Sequence, residues 1–382
     1  MKKIALLGST GSIGRQTLNV IRNNADKFIV SAIAAYGNAE LLSSQANEFR
    51  PAYVGLGNEN KIGDLHLNYD SSVITGKNML SALAAIDECD IVVCAVTGMS
   101  AFDGVVSAIC HGKDVALASK EVLVAGGEYI MRLANEKGVR ILPVDSEHSA
   151  VWQCLEGKKK ESVEKLILTA SGGPFYSAQS LSQLESVTPE QAVVHPNWNM
   201  GRKISVDSAT MMNKGLEIIE ARYLFDIENI DYIIHPQSVI HSMVQFVDGS
   251  ILAQMSKTTM ELPILVALSY PERLHANNYE FDFDKSLTFL PPREDIFILP
   301  KLAKLSLIEG KNAPCTLNAA NEAAVQLFLD RKIAFTDIQK IVQSVMEKAE
   351  FYNLNTCDDI LNTHCRTYDY VIKDYKEIIS RK

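Results

Sequence analysis

The chain reads as an α/β protein with an N-terminal parallel sheet, a central α+β region and a C-terminal helical bundle. Three observations point there. Short apolar strands alternate with helical patterns over the first 145 residues, the signature of a parallel sheet covered on both faces. A hairpin pattern, 239–246 and 251–255 around Asp248-Gly249, lies mid-chain. Beyond a Pro-bearing connector at about 270–294 the pattern is helical to the end.

The first strand is expected at 4–7, with others at 29–35, 91–96, 115–118 and 141–144. Helices are expected at about 12–24, 38–49, 76–88, 99–111 and 121–137. The first strand runs into Gly8-Ser9-Thr10-Gly11-Ser12-Ile13-Gly14. Glycine tightens such a turn and lets backbone N–H groups meet a pyrophosphate at the helix N-terminus. A glycine trio alone is weak evidence. Here it follows a strand and opens a helix, which favours dinucleotide binding over a bare turn. The second strand closes on Tyr36-Gly37-Asn38, with no Asp or Glu to hold a ribose 2′-hydroxyl. That favours NADP. No Arg or Lys stands there either, so backbone, Asn38 or Arg15 would meet the 2′-phosphate.

The last strand of this region turns polar at Asp145-Ser146-Glu147-His148. Two carboxylates two apart at a strand's carboxyl end suit Mg²⁺ or Mn²⁺, with Glu217 as a third ligand. Helix capping by Asp145 is the competing reading, since a helix begins near Ser146. Ser119-Lys120-Glu121 also follows a strand, where Lys120 would orient a substrate hydroxyl or pass a proton. The plainer reading is a first-turn helix residue.

Ser171-Gly172-Gly173 offers a hydroxyl and uncovered N–H groups, as an anion nest or a plain turn before Pro174. Residues 197–201 form a loop with Trp198 at its centre, either a lid or a surface contact. A helix is expected to start at Asp207-Ser208-Ala209-Thr210, whose short side chains suit an N-terminus. Asn213 and Glu217 fall at i and i+4, Lys214 and Glu217 at i and i+3, so all three share a face. They would grip a phosphorylated polyol and a metal, or form one ordinary ion pair. Thr336 and Gln339 fit a capping box.

At 382 residues the chain exceeds one typical core, and two or three domains are expected. A net charge of −9 argues against a nucleic-acid partner. Seven cysteines without a CxxC pair suggest reduced thiols in the cytoplasm. The apolar run after Lys2-Lys3 is too short for a signal peptide, and no apolar stretch reaches membrane-spanning length.

The segments GSTGSIG at 8–14, ASKE at 118–121, VDSEHSA at 144–150 and SGGPF at 171–175 recur together with three more. These are HPNWNMGRKISVDSATMMNKGLEIIEA at 195–221, HPQSVIHSMVQF at 235–246 and LNAANE at 317–322. Together they resemble the 1-deoxy-D-xylulose 5-phosphate reductoisomerase family, from residue 1 into the C-terminal bundle. The resemblance implies an enzyme of isoprenoid precursor synthesis that uses NADPH and a divalent metal (Mn²⁺, Mg²⁺ or Co²⁺). It would rearrange 1-deoxy-D-xylulose 5-phosphate and reduce the product to 2-C-methyl-D-erythritol 4-phosphate. It further implies a homodimer, with no nucleic-acid or membrane partner.

The implied domains are a Rossmann-like NADP-binding domain at 1–145, a catalytic and dimerisation domain at 146–270, a connector at 271–296 and a helical domain at 297–382. The metal ligands carry over to Asp145, Glu147 and Glu217. Substrate contacts carry over to Ser146, Glu147, Ser171, His195, Trp198 and Ser208, and to Asn213, Lys214, Glu217 and His241. The implied catalytic groups are Lys120, Glu147, His195, Lys214 and Glu217. Cofactor contacts fall on Thr10, Gly11, Ser12 and Ile13, on Gly37 and Asn38, and on Ser119, Lys120 and Glu121. Met200, Gly201 and Met260 complete them. The family often has a basic or small residue where this chain has Gly37.

Two other classes account for part of the pattern. A reductase of the semialdehyde or homoserine type explains the glycine loop but not three carboxylates with the Asn213-Lys214 pair. A non-catalytic nucleotide sensor explains nothing after residue 140.

Overall fold

The computed structural model describes residues 1–380 apart from 196, 199, 277–280, 282, 284 and 285. The chain begins β1 (Lys2–Leu7), α1 (Ser12–Asn23), β2 (Phe28–Ala35), α2 (Ala39–Phe49), β3 (Tyr53–Leu56) and β4 (Ser72–Thr75). It continues α3 (Met79–Ala84), β5 (Ile91–Cys94), α4 (Phe102–Cys110), β6 (Asp114–Leu117), α5 (Lys120–Lys137), β7 (Ile141–Pro143) and α6 (Ser146–Leu155). Then come β8 (Val163–Ala170), α7 (Pro189–Ala192), α8 (Arg202–Ala209), α9 (Met212–Phe225), β9 (Ile230–Ile234), β10 (Ile240–Phe246) and β11 (Ile251–Met255). The end is helical: α10 (Glu261–Ser269), α11 (Leu299–Glu309), α12 (Ala313–Leu329), α13 (Asp337–Lys348) and α14 (Cys357–Ser380).

Two compact units result. The first comprises Met1–Val122, Ile130–Ser149 and Thr259–Asn278. Its seven-stranded sheet runs β4-β3-β2-β1-β5-β6-β7, every pair parallel. The order reverses between β1 and β5, the switch point at whose carboxyl end such sheets bind ligands. The expected strands all form. β3 and β4 were not expected, because each is four residues long with no periodicity to display. α10 packs in this unit, against α1, β6 and β7.

The second unit comprises Leu123–Tyr129, Ala150–Thr258 and Tyr279–Lys382. Its four-stranded sheet runs β11-β10-β8-β9. The β10–β11 hairpin forms as expected, while β8 and β9 pair in parallel across the intervening helices. α12 is buried along most of its length and packs on α11, α13 and α14.

Two expectations fail locally. Residues 207–210 end α8 rather than open a helix, and α9 starts after Met211, which adopts a left-handed backbone (φ 62). The short side chains at 207–210 suit a helix N-terminus, but burial lets them serve an interior junction instead. Thr336 has helical backbone and makes no side-chain cap. Asp337 accepts the Ala334 N–H in its place. A capping box does form, between Thr188 and Gln191 at α7. Among the described residues no helix is long and apolar enough to cross a membrane.

Candidate functional site

In the first unit the glycine loop lies at the switch point. Gly8 is left-handed at φ 92, and a Cβ on Gly14 would sit 2.2 Å from the Gly8 carbonyl oxygen. Only glycine at 14 lets α1 rise this close to the strand it leaves. Gly11 precedes α1 with no side-chain cap, so it leaves the first N–H groups of the helix to other partners. Thr10, Ser12 and Ile13 belong to this turn. At the end of β2, the Asn38 side chain accepts the Leu41 N–H at 3.1 Å and caps α2. Gly37 is half-buried, with the Asn58 side chain 3.8 Å from where a Cβ would stand. Arg15 is exposed on the first turns of α1.

On the other side of the switch point, Ser119 donates to the Val96 carbonyl and joins the ends of β5 and β6. Lys120 and Glu121 follow it, both buried. Lys120 Nζ forms an ion pair with Asp145 Oδ2. Asp145 Oδ1 accepts the N–H groups of Glu147 at 3.0 Å and His148 at 3.1 Å. The capping reading of Asp145 therefore holds. One oxygen caps α6, which locks the carboxylate in place, and the other faces the Lys120 cation. Ser146 Oγ donates to Glu147 Oε2. Met260, also in this unit, stands at the start of α10.

In the second unit β8 delivers Ser171 at its carboxyl end. Gly172 and Gly173 follow at φ 87 and 67. A Cβ on Gly173 would lie 2.6 Å from the Ser208 carbonyl oxygen, so this turn sits directly on the end of α8. His195 Nε2 lies 2.9 Å from Ser171 Oγ. The N–H groups of Asn197 and Trp198 donate to His195 Nδ1 at 3.1 and 3.0 Å. A nitrogen receiving two donors carries no proton, so the ring is neutral with its hydrogen on Nε2, pointed at Ser171. Burial holds the His195 pKa down to about 4. The Trp198 ring lies 6.4 Å from that of the buried His241 on β10. Gly201 N-caps α8, and Met200 precedes it.

On α9, Asn213 and Lys214 both donate to Glu217, one to each carboxylate oxygen. Lys214 is 3% exposed and Glu217 1%. The helix start carries no side-chain cap, leaving its positive end to the same neighbourhood. The i, i+3 and i+4 spacing thus acts as expected, one turn later in the chain than the expected helix start. Sequence reasoning gave Asp207 only a helix-start role and missed its burial. Lys203 reaches it at 2.8 Å with i, i+4 spacing that was there to be read. Asn321 Nδ2 reaches it at 2.8 Å from 114 residues away, which no local pattern announces.

A parallel sheet with a glycine loop at its switch point, joined to a second sheet that presents a serine–histidine pair, defines a Rossmann-type α/β protein of multidomain build. The 1-deoxy-D-xylulose 5-phosphate reductoisomerase family matches residues 4–127, and its two C-terminal domain models match 141–225 and 255–370. A 1-deoxy-D-xylulose 5-phosphate reductoisomerase of Thermoanaerobacter pseudethanolicus is 46% identical, covering 100% of this chain and 99% of its own. That of Clostridium perfringens is also 46% identical, over 98% and 100%. The solved enzyme of Zymomonas mobilis in complex with NADPH superposes with a TM-score of 0.90 at 37% identity, covering 97% and 98%. A solved relative in complex with NADPH, fosmidomycin and magnesium gives 0.91 at 37%, covering 98% and 99%. The chain belongs to the 1-deoxy-D-xylulose 5-phosphate reductoisomerase family.

Proposed function

We propose that this chain rearranges 1-deoxy-D-xylulose 5-phosphate and reduces the product with NADPH to 2-C-methyl-D-erythritol 4-phosphate, for isoprenoid precursor synthesis. The carrying observation is the cluster of Asn213 with the buried Lys214 and Glu217 at the start of α9 in a member of this family. A buried ammonium and a helix N-terminus suit a phosphorylated substrate.

The residues fit both helpers. Gly8 and Gly14 leave no room for a Cβ, and the turn between them offers backbone N–H groups, as a pyrophosphate requires. Asp145, Glu147 and Glu217 are the hard oxygen donors that a divalent cation takes, and Mn²⁺, Mg²⁺ and Co²⁺ are the candidates. Such an ion, when bound, supplies Lewis acidity for neighbouring substrate oxygens. Lys120, paired with Asp145, would hold a substrate hydroxyl. Ser171 already accepts from His195 and Gly173, so its own hydrogen is left to donate to a phosphate oxygen. Ser208, Asn213 and Lys214 complete that grip, with Ser146, Glu147 and His241 toward the polyol. The Trp198 loop, with Met200 and Gly201, would shield the intermediate from water. Thr10, Gly11, Ser12, Ile13, Gly37 and Asn38, with Ser119, Lys120, Glu121 and Met260, would hold NADPH.

Residues 1–145 then bind the cofactor, joined by Met260 from the segment that packs in the first unit; the rest of 146–270 carries catalysis and dimerisation, 271–296 connect, and 297–382 support. The edge strand β11 presents Ile251, Leu252 and Met255 to solvent. Unpaired apolar edges of this kind invite a second strand, which supports a homodimer, and we place the enzyme in the cytoplasm. The test is NADPH oxidation with the deoxyxylulose substrate, with and without chelator, beside sedimentation. Turnover that ignores chelator, or none with added Mg²⁺, would defeat the proposal.

A further inference from the structure

The LNAANE segment carries chemistry that the site as described does not use. Asn318 and Asn321 stand three apart on α12 and are both fully buried, at 0% exposure. Asn321 Nδ2 donates to Asp207 Oδ1 at 2.8 Å. Its own Oδ1, and both amide atoms of Asn318, have no hydrogen-bond partner among the described residues. An orphaned buried amide costs stability, and apolar side chains of similar size would serve a mere packing seam better. The amides therefore supply position rather than stability.

What they position is the end of α8. Asp207 is 1% exposed. Its carboxylate is spanned by Asn321 on one oxygen and Lys203 on the other. The next residue is Ser208. Its carbonyl abuts Gly173, the turn that carries Ser171, and it accepts the Met211 N–H at 3.1 Å. Met211 in turn holds the left-handed backbone that starts α9 and so aims Asn213 and Lys214. Residues 207–208 are thus where α12, the Ser171 turn and α9 meet. A shift of Asp207 would move all the proposed phosphate contacts at once.

We propose that Asn321 is a positioning residue: through Asp207 it sets the Ser208 junction and hence the affinity for the phosphorylated substrate. This rests on the reading of Ser208 as a substrate contact. The experiment compares Asn321→Leu, Asn321→Ser, Ser208→Ala and the swap Asp207→Asn with Asn321→Asp in the full-length enzyme. Asn321→Leu and Asn321→Ser should raise the substrate KM about tenfold, equal to about 1.4 kcal/mol, and leave the NADPH KM unchanged. The swap rebuilds an amide–carboxylate pair with reversed polarity and should recover most of the loss. A purely structural asparagine would instead lower the melting temperature and move both KM values together, with no recovery in the swap; that pattern overturns the proposal. So does an unchanged substrate KM in folded Asn321→Leu and Asn321→Ser while Ser208→Ala raises it. An unchanged KM in Ser208→Ala sinks the site reading itself, and this inference with it.

Discussion

His195 Nε2 lies 2.9 Å from Ser171 Oγ, while two backbone N–H groups point at the opposite ring nitrogen. This arrangement has no place for a second ring proton. Burial holds the His195 pKa to about 4, below the ordinary 6.5. A histidine that binds its proton more weakly when folded stabilises the fold above its unfolded pKa, and that contribution is lost as pH falls from about 6.5 toward 4. The melting temperature should therefore drop across that window, and less so in His195→Gln. An NMR titration placing this imidazole at 6.5 or above would contradict the geometry.

Glu217→Gln should abolish most activity and weaken divalent-ion binding, because an amide is a poor ligand for a hard cation. It also leaves the buried Lys214 without its counter-charge, at a cost of about 3–5 kcal/mol. Calorimetric titration with Mn²⁺ and thermal melts measure the two effects separately. Wild-type ion affinity in the mutant would remove Glu217 from the metal site.

Lys214→Ala should raise the substrate KM and leave NADPH binding nearly intact, since Lys214 belongs to α9 and not to the glycine turn. If instead NADPH affinity fell and the substrate KM held, α9 would belong to the cofactor site.

NADPH should be preferred to NADH, because no carboxylate closes β2 to repel a 2′-phosphate. Gly37→Lys fits sterically, with 3.8 Å to the nearest side chain. It should widen the preference by up to about tenfold, or about 1.4 kcal/mol. Ratios of kcat/KM in wild type, Gly37→Lys and Arg15→Ala check this. Equal efficiency with NADH in the wild type would overturn the NADP assignment.

Gly14→Ala should cripple cofactor binding and the folding of the first unit, since its Cβ would stand 2.2 Å from the Gly8 oxygen with only backbone to yield. Expression level and NADPH fluorescence report on both. A soluble variant with normal affinity would show that the turn has slack.

Much of the fold and the Asn213–Lys214–Glu217 cluster were legible in the residues alone. Alternation of apolar strands and helices announced the parallel sheet, and glycine spacing announced the turn after β1. Helical spacing alone put Asn213 and Lys214 over Glu217. These are local regularities, repeated every two or three to four residues, so the chain displays them before it folds. The tertiary structure decided the rest. It made Asp145 a helix cap and the partner of Lys120 at once, because β6 and β7 are neighbours in the sheet. It ended a helix at Asp207–Ala209, where the side chains suited a beginning, because the interior satisfied Asp207 through Asn321. It formed β3 and β4, too short to show a period, by pairing β3 with β2 and β4 with β3. Each of these outcomes depends on groups far apart in the chain meeting out of water, where an unpaired polar atom is costly and only the folded arrangement can supply its partner.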